Sequence, residues 1–266
     1  MLGIEGGVVG FVPTMGALHN GHLSLVDAAS KISDHVIVSI FVNPTQFNDP
    51  HDLQNYPRDL EKDMALLSDH GKTSAVFTPE VKDIYPEPDS RIFDFGNQDK
   101  IMEGSHRPGH FNGVAQVVSK LFEIIEPDKA FFGQKDFQQL AIIRQLVKQL
   151  NSDIEIIACP IVRENDGLAL SSRNTLLTHE EKIHAANISK ILFKSVKLAK
   201  SLEVEKLTEW VIKELNNDPL IMVEYFQIVD SLTLIPVEKW NQPGDKHGCV
   251  AVKIGKIRLI DNIKFD

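Results

Sequence analysis

PTMGALHNGH, Pro13 to His22, decides the fold. It lies between the apolar run VVGFV (8–12) and the apolar-periodic stretch LSLVDAASKI (23–32). A short Val/Phe run reads as a strand, and apolar residues at helical spacing read as a helix. Pro13 is expected to stop the strand, Gly16 to permit a tight turn, and the helix to begin near Asn20 to His22. A strand-turn-helix unit at the start of a chain is the first unit of an α/β sheet. Its helix start offers free N–H groups and a positive dipole end, which favour an anion such as phosphate. Met15, Gly16, Ala17, Leu18, His19, Asn20, Gly21 and His22 form the candidate segment. His19 and His22, three apart, can face the same way. Gly21 leaves room for a flat ring against the backbone. For an isolated HxGH, a helix cap with two surface histidines is the better reading. Placed after the first strand of an α/β pattern, the motif favours a nucleotide-phosphate site.

The pattern continues downstream. HVIVSIFV (35–42), SAVF (74–77), KAFF (129–132) and DIEIIAC (153–159) read as strands buried on both faces. Helical patterns at 21–32, 59–70, 112–126 and 136–150 alternate with them. The fold class is α/β: a Rossmann-like, doubly wound parallel sheet domain over residues 1–161. A smaller α+β C-terminal domain is expected over 162–266. There HEEKIHAANISKILFKSVKLAK and VEKLTEWVIKELNN read as helices, VEYFQIVD as a strand, and GCVAVKIGKIRLID as a hairpin around Gly255.

Four polar clusters each follow a predicted strand, where one ligand cleft would gather them. PTMGALHNGH is the first. NPTQF supplies Asn43 and Gln46, and FQQL supplies Gln138 and Gln139. Neutral amides can orient a small hydroxy acid yet leave its carboxylate reactive, whereas an arginine would hold it and blunt it. Loop hydrogen bonding is the simpler role for Gln138. GQKD (133–136) brings Gly133, Gln134, Lys135 and Asp136. Lys135 can neutralise a triphosphate, and Asp136 can cap the helix, orient Lys135 or contact a metal. LSSRN brings Leu170, Ser171, Ser172 and Arg173 in a loop that can wrap phosphates, with DGLA before it as a hinge. HRPGHFNGV (106–114) places Arg107, which can meet an anion, ahead of Val117 and Val118. These two can line an acid pocket, although apolar helix residues are more often plain core.

The 266 residues carry a net charge of −9, which argues against a general nucleic-acid binder. Two cysteines, Cys159 and Cys249, sit in strand-like stretches and read as buried free thiols, which suits a reducing cytoplasm. No apolar run is long enough for a membrane span, and MLGIEGGVVG lacks the build of a secretion signal. Neither a Walker A motif, a GxGxxG fingerprint, a Ser-His-Asp arrangement nor metal-ligand spacing is found, so no metal-ligating side chains are assigned.

Together PTMGALHNGH, FVNPTQF, YPRDLEKD, HRPGHFNGV, FFGQKDFQQL and REND-GLALSSRN resemble the pantothenate synthetase (pantoate–β-alanine ligase) family, in that family's order across residues 8–178. HNGH also resembles the motif of the wider HxGH nucleotidyltransferase superfamily. The resemblance implies ATP-dependent condensation of pantoate with β-alanine through pantoyl adenylate, with pyrophosphate and AMP released. It implies Mg2+ held mainly through phosphates, a cytoplasmic homodimer, and no nucleic-acid or membrane partner. By resemblance, Met15 to His22, Gly133 to Asp136, Val162 and Leu170 to Arg173 bind ATP, with His22 in the proton-donor position. His19, His22, Lys135 and Arg173 are the implied catalytic groups. Gln46 and Gln139 bind pantoate, Gln46 also lying near β-alanine. Asn43, Arg107, Val117 and Val118 complete the substrate set. Members carry a helical segment before the first strand, where this sequence has only MLGIEGG. Closure of the second domain over ATP is expected, because LSSRN begins it. A nucleotidyltransferase of the same superfamily that joins a nucleotide to another small acid or phosphate ester, and a catalytically silent nucleotide sensor, are the competing readings.

Overall fold

The computed structural model describes residues 6–265. The opening residues 1–5, used above in judging the N-terminus, lie outside them. Five parallel strands form the larger sheet: β1 (Val9–Thr14), β2 (His35–Ile40), β3 (Ala75–Phe77), β4 (Lys129–Gly133) and β5 (Glu155–Cys159). Their spatial order is β3-β2-β1-β4-β5. The chain winds outward one way from β1 and then restarts on its other side at β4. The switch point therefore lies between β1 and β4, where such sheets bind ligands.

The strands obey the two-residue period of a sheet covered on both faces. Phe11, Ile37, Ala130 and Phe132 enter one core with α6 (His110–Ile125) and α7 (Phe137–Gln149). Val12, Val36, Val38 and Phe131 enter the other with α1 (Asn20–Ser30) and Leu67 of α3 (Leu60–His70). Three short helices were not read from sequence: α2 (Pro50–Asn55), α4 (Val81–Ile84) and α5 (Met102–His106). At six residues or fewer, they are too short to show a helical period.

One local expectation is corrected. Pro13 does not stop β1: it pairs with Ser39, and Thr14 pairs with Ile40. The β1–β4 ladder is formed at Gly10 and Phe11. Pro13 thus lies beyond that ladder, where a residue without an N–H is tolerated.

The C-terminal domain packs α8 (His179–Leu198) and α9 (Val204–Asn216) on an antiparallel sheet of β6 (Ile221–Asp230), β7 (Lys246–Ile254) and β8 (Ile257–Phe265). The β7–β8 hairpin turns at Gly255, with φ of 56° as expected for a tight turn. Both cysteines are buried and free. A small apolar seam of Met102, Ala141, Val229, Leu234 and Cys249 joins the two domains. Beside it, Arg258 of β8 makes a bidentate contact with Glu103 at 2.7 and 2.6 Å, and Tyr225 donates to the same carboxylate at 2.8 Å. Among the described residues, no helix is long and apolar enough to cross a membrane.

Candidate active site

A cleft of about 1260 Å3, counted out to its open mouth, sits at the β1/β4 switch point. Its walls include Met15, His19, Gly21 and His22 after β1, and Asn43 and Gln46 after β2. Gly133, Lys135, Asp136 and Gln139 follow β4, and Val162, Leu170, Ser171, Ser172 and Arg173 follow β5. Val117 and Val118 reach it from α6. All four sequence clusters therefore converge on one opening.

His19 and His22 cap α1 together. The Gly21 N–H donates to His19 Nδ1 at 3.1 Å, and the His19 N–H donates to His22 Nδ1 at 3.3 Å. The ring centroids lie 4.1 Å apart. Each Nδ1 accepts a backbone proton, so each neutral imidazole carries its own proton on Nε2. Burial, reinforced by Lys135, lowers the His19 pKa to about 4. Burial, then His19 and Lys135, lowers that of His22 to about 3. Both rings are thus neutral N–H donors near neutral pH. The cap reading of HNGH holds, and the same two side chains line the cleft. Gly21 is corrected in detail: a Cβ there would lie 2.7 Å from His19 Cε1. The flat ring it accommodates is the His19 imidazole.

The loop ahead of the cap is held by a residue that sequence reasoning passed over. Asp63 of α3, 2 % exposed, accepts the N–H groups of Ala17 and Leu18 at 2.9 and 2.7 Å. Gly16 and Ala17 have φ of 81° and 49°, so the loop needs external support. Gly16, Ala17 and Leu18 shape this turn, and Asn20 opens α1; none of the four is on the cleft wall. YPRDLEKD carried the signal, but an acidic residue inside a helix gives no hint of which N–H groups it meets.

Lys135 stands with Asp136, Nζ to Oδ1 3.7 Å. Asp136 occupies the N-cap of α7 without capping it through its side chain. Gln134 lies behind the wall, its N–H donating to Cys159 O at 2.8 Å. A Cβ on Gly133 would meet nothing within 4 Å, so the cleft has open space there.

LSSRN runs into a 3-10 segment, Ser172–Leu176, with Leu170 and Ser171 leading into it. Ser171 Oγ caps it by accepting the Arg173 N–H, and Ser172 Oγ donates to Ala17 O at 3.0 Å. Arg173 Nη2 meets both Asp52 oxygens, at 3.2 and 2.9 Å, over the Tyr56 ring. The Val162 carbonyl accepts the Leu170 N–H at 2.9 Å, which ties these two wall segments together.

Gln46 is pinned on three sides. Its Nε2 faces Met15 Sδ at 2.9 Å, and its Oε1 accepts from Asn43 Nδ2 at 3.2 Å. Its carbonyl accepts from His110 Nδ1 at 2.8 Å. Arg107 is not on the cleft wall: it donates to His110 Nε2 at 3.2 Å and to the Gln46 carbonyl at 3.4 Å. Burial turns it inward, where those acceptors replace water. Gln138 is structural as expected, donating to Gln98 O and Ile101 O. Among the described residues, no three His, Cys, Asp or Glu side chains are grouped to hold a metal.

A sequence model described as pantoate-beta-alanine ligase matches residues 3–264. The chain belongs to the pantoate-beta-alanine ligase family. A pantothenate synthetase of Porphyromonas gingivalis is 53% identical over 98% of this chain and 93% of its own length. One from Bacteroides fragilis is 53% identical over 100% and 94%. The crystal structure of the Thermus thermophilus pantothenate synthetase superposes with a TM-score of 0.92 at 41% identity, covering 97% of this chain and 94% of that one. A Francisella tularensis pantoate-beta-alanine ligase, complexed with beta-gamma ATP and beta-alanine, gives 0.83 at 40% identity over 98% and 91%. Membership of the pantoate-beta-alanine ligase family accounts for both sheets of the fold.

Proposed function

We propose that this chain condenses pantoate with β-alanine in two steps at the β1/β4 cleft, at the expense of ATP. A pantoate carboxylate oxygen attacks the α-phosphorus, and the P–O bond to pyrophosphate breaks. The β-alanine amine then attacks the acyl carbon, and the C–O bond to AMP breaks as pantothenate forms. The observation that carries the reading is the meeting of four nitrogen donors with a neutral amide pocket. His19, His22, Lys135 and Arg173 share one wall system with Gln46, Gln139, Val117 and Val118.

Each group has a role that follows from its setting. Neutral His19 and His22 present Nε2–H donors to phosphate oxygens, and Lys135 and Arg173 supply positive charge as pyrophosphate leaves. His22 is a hydrogen-bond donor in the free enzyme, since its lowered pKa leaves no second proton to give. Leu170, Ser171 and Ser172 hold Arg173 over the nucleotide. Val162 meets the base through its backbone. Gln46 and Gln139 orient the pantoate carboxylate without pairing with it, and Val117 and Val118 pack its methyl groups. Asn43 and Arg107 act by holding Gln46.

Mg2+ fits as a companion of the phosphates, since this ion commonly uses one or two carboxylates and keeps its other ligands from phosphate and water. Asp136 is the acidic side chain on the wall that suits it. When bound, it neutralises phosphate charge. We assign residues 1–161 to the ATP and pantoate domain and 162–266 to the domain carrying the clamp. A cytoplasmic homodimer is part of the same proposal; buried free thiols fit the compartment, and sedimentation tests the dimer.

The deciding experiment is pantoate-dependent exchange of labelled pyrophosphate into ATP without β-alanine. Exchange that disappears in His22→Ala and Lys135→Ala is expected. No exchange in folded, ATP-binding protein would move the reading to another acid or to a silent sensor.

A further inference from the structure

Lys135 projects from a short turn between β4 and α7, and a turn of this kind needs its carbonyls satisfied. Part of this is local: the Gly133 carbonyl accepts the Asp136 N–H at 3.3 Å, while the Gln134 N–H donates to Cys159 O of β5. The carbonyls of Gln134 and Lys135 go elsewhere. Both accept from a single nitrogen, Asn262 Nδ2, at 2.9 and 3.0 Å. Asn262 belongs to β8, in the other domain, and is only 4 % exposed.

Asn262 is itself held firmly. Its N–H donates to Asp261 Oδ1 at 2.8 Å. The Asp261 carboxylate takes a bidentate contact from Arg163, at 2.6 and 2.9 Å. Arg163 Nη1 also donates to Gly167 O at 3.2 Å, and Arg163 directly follows Val162. One buried chain of contacts thus runs from the Val162 segment through β8 to the Lys135 turn. A carboxamide is the side chain this geometry requires. It offers two N–H donors on one nitrogen, whereas a carboxylate would aim lone pairs at two carbonyls and a leucine would leave both unsatisfied.

We propose that Asn262 is a positioning residue for adenylation: it fixes the Lys135 ammonium against the ATP phosphates by clamping the two carbonyls of the turn that carries it. This rests on the reading above that Lys135 serves ATP. Preorganised charge loses much of its effect when its carrier can shift, and displacements near 1 Å cost up to about 100-fold. The second half-reaction no longer has pyrophosphate to stabilise, so it depends less on this lysine.

The test compares Asn262→Leu, Asn262→Asp and Asn262→Gln with the wild type, using thermal melting to confirm folding. Pyrophosphate exchange reports the first half-reaction, and β-alanine-dependent turnover of preformed pantoyl adenylate reports the second. The proposal expects kcat/KM for ATP in exchange to fall about 10- to 100-fold in the Leu and Asp variants. Acyl transfer and the KM for β-alanine should stay within about threefold, with Asn262→Gln partly restoring exchange because it keeps the two donors. Equal losses in both half-reactions, or an unchanged kcat/KM for ATP in folded Asn262→Leu, would overturn it. If the Leu and Asp variants unfold, Asn262→Gln decides alone: a lowered kcat/KM for ATP in exchange with unchanged acyl transfer supports the proposal, and equal changes overturn it. Absent exchange in the wild type overturns the adenylation reading and this inference with it. Normal wild-type exchange with unaffected variants overturns the inference alone.

Discussion

The Asp63 carboxylate accepts the backbone N–H of Ala17 at 2.9 Å, and Ala17 has a φ of 49°. A helix on one side of the sheet therefore props a left-handed residue in the loop that leads to HNGH. Charge-assisted bonds to backbone N–H groups are stronger than neutral ones. Asp63→Ala leaves two buried N–H groups unmet, a cost of about 1–3 kcal/mol each. Urea unfolding should register that loss, and exchange assays should show a raised ATP KM with little change in the KM for β-alanine.

The two lowered imidazoles make stability sensitive to acid. Histidine protonates near pH 6.5 in an unfolded chain, but here at about 4 for His19 and about 3 for His22. Between those values the unfolded chain binds more protons, so stability falls as pH drops below about 6.5 and levels off below the folded pKa. Each unit of displacement is worth about 1.4 kcal/mol. Comparing urea midpoints at pH 7.5 and 5, the paired variant His19→Asn, His22→Asn should lose less on acidification than the wild type. An equal loss would contradict the burial assigned to these rings.

Arg173 pairs with Asp52 at 2.9 Å. Asp52 engages Nη2 and so competes with phosphate for the guanidinium. Asp52→Asn removes the competitor, and partly exposed pairs of this kind are worth about 0.2–1 kcal/mol. The ATP KM in the exchange assay should therefore drop about 1.4- to fivefold. A rise would mean that Asp52 holds Arg173 in its working position.

Arg258 and Glu103 bridge the domains beside the apolar seam. Burial pushes the Glu103 carboxyl up, and Arg258 more than offsets it, holding it below the usual range. Removing one partner strands the other charge, which costs about 3–5 kcal/mol for a buried pair. Arg258→Met should lower the melting temperature strongly, and Glu103→Gln added to it should recover part of the loss. Independent, additive losses would show that the pair is not coupled.

HNGH was legible because strand, turn and cap chemistry are local. The α/β order, the C-terminal helices and the Gly255 hairpin were legible because hydrophobic period follows from neighbours in sequence. What escaped depends on partners far along the chain. Asp63 looked like a helix acid until Ala17 and Leu18 stood before it. Asn262 lies just past the stretch GCVAVKIGKIRLID, and nothing beside it in sequence marks an amide that serves a turn 127 residues earlier. Gly21 was rightly read as room for a ring, but which ring required coordinates. Arg107 was expected at an anion, and burial gave it His110 and a backbone carbonyl instead.

The sheet order has a consequence for how the molecule comes to be active. β1 joins β4 only when Gly10 and Phe11 meet Lys129 and Ala130, 119 positions further along the chain. Closing so long a loop is entropically costly and is repaid only once the pairing is complete. Helices such as α8, by contrast, form from contacts a few residues apart. During refolding, helical signal should return well ahead of enzymatic turnover, because the walls that hold His22 and Lys135 cannot face one another until the last parallel neighbours have found each other.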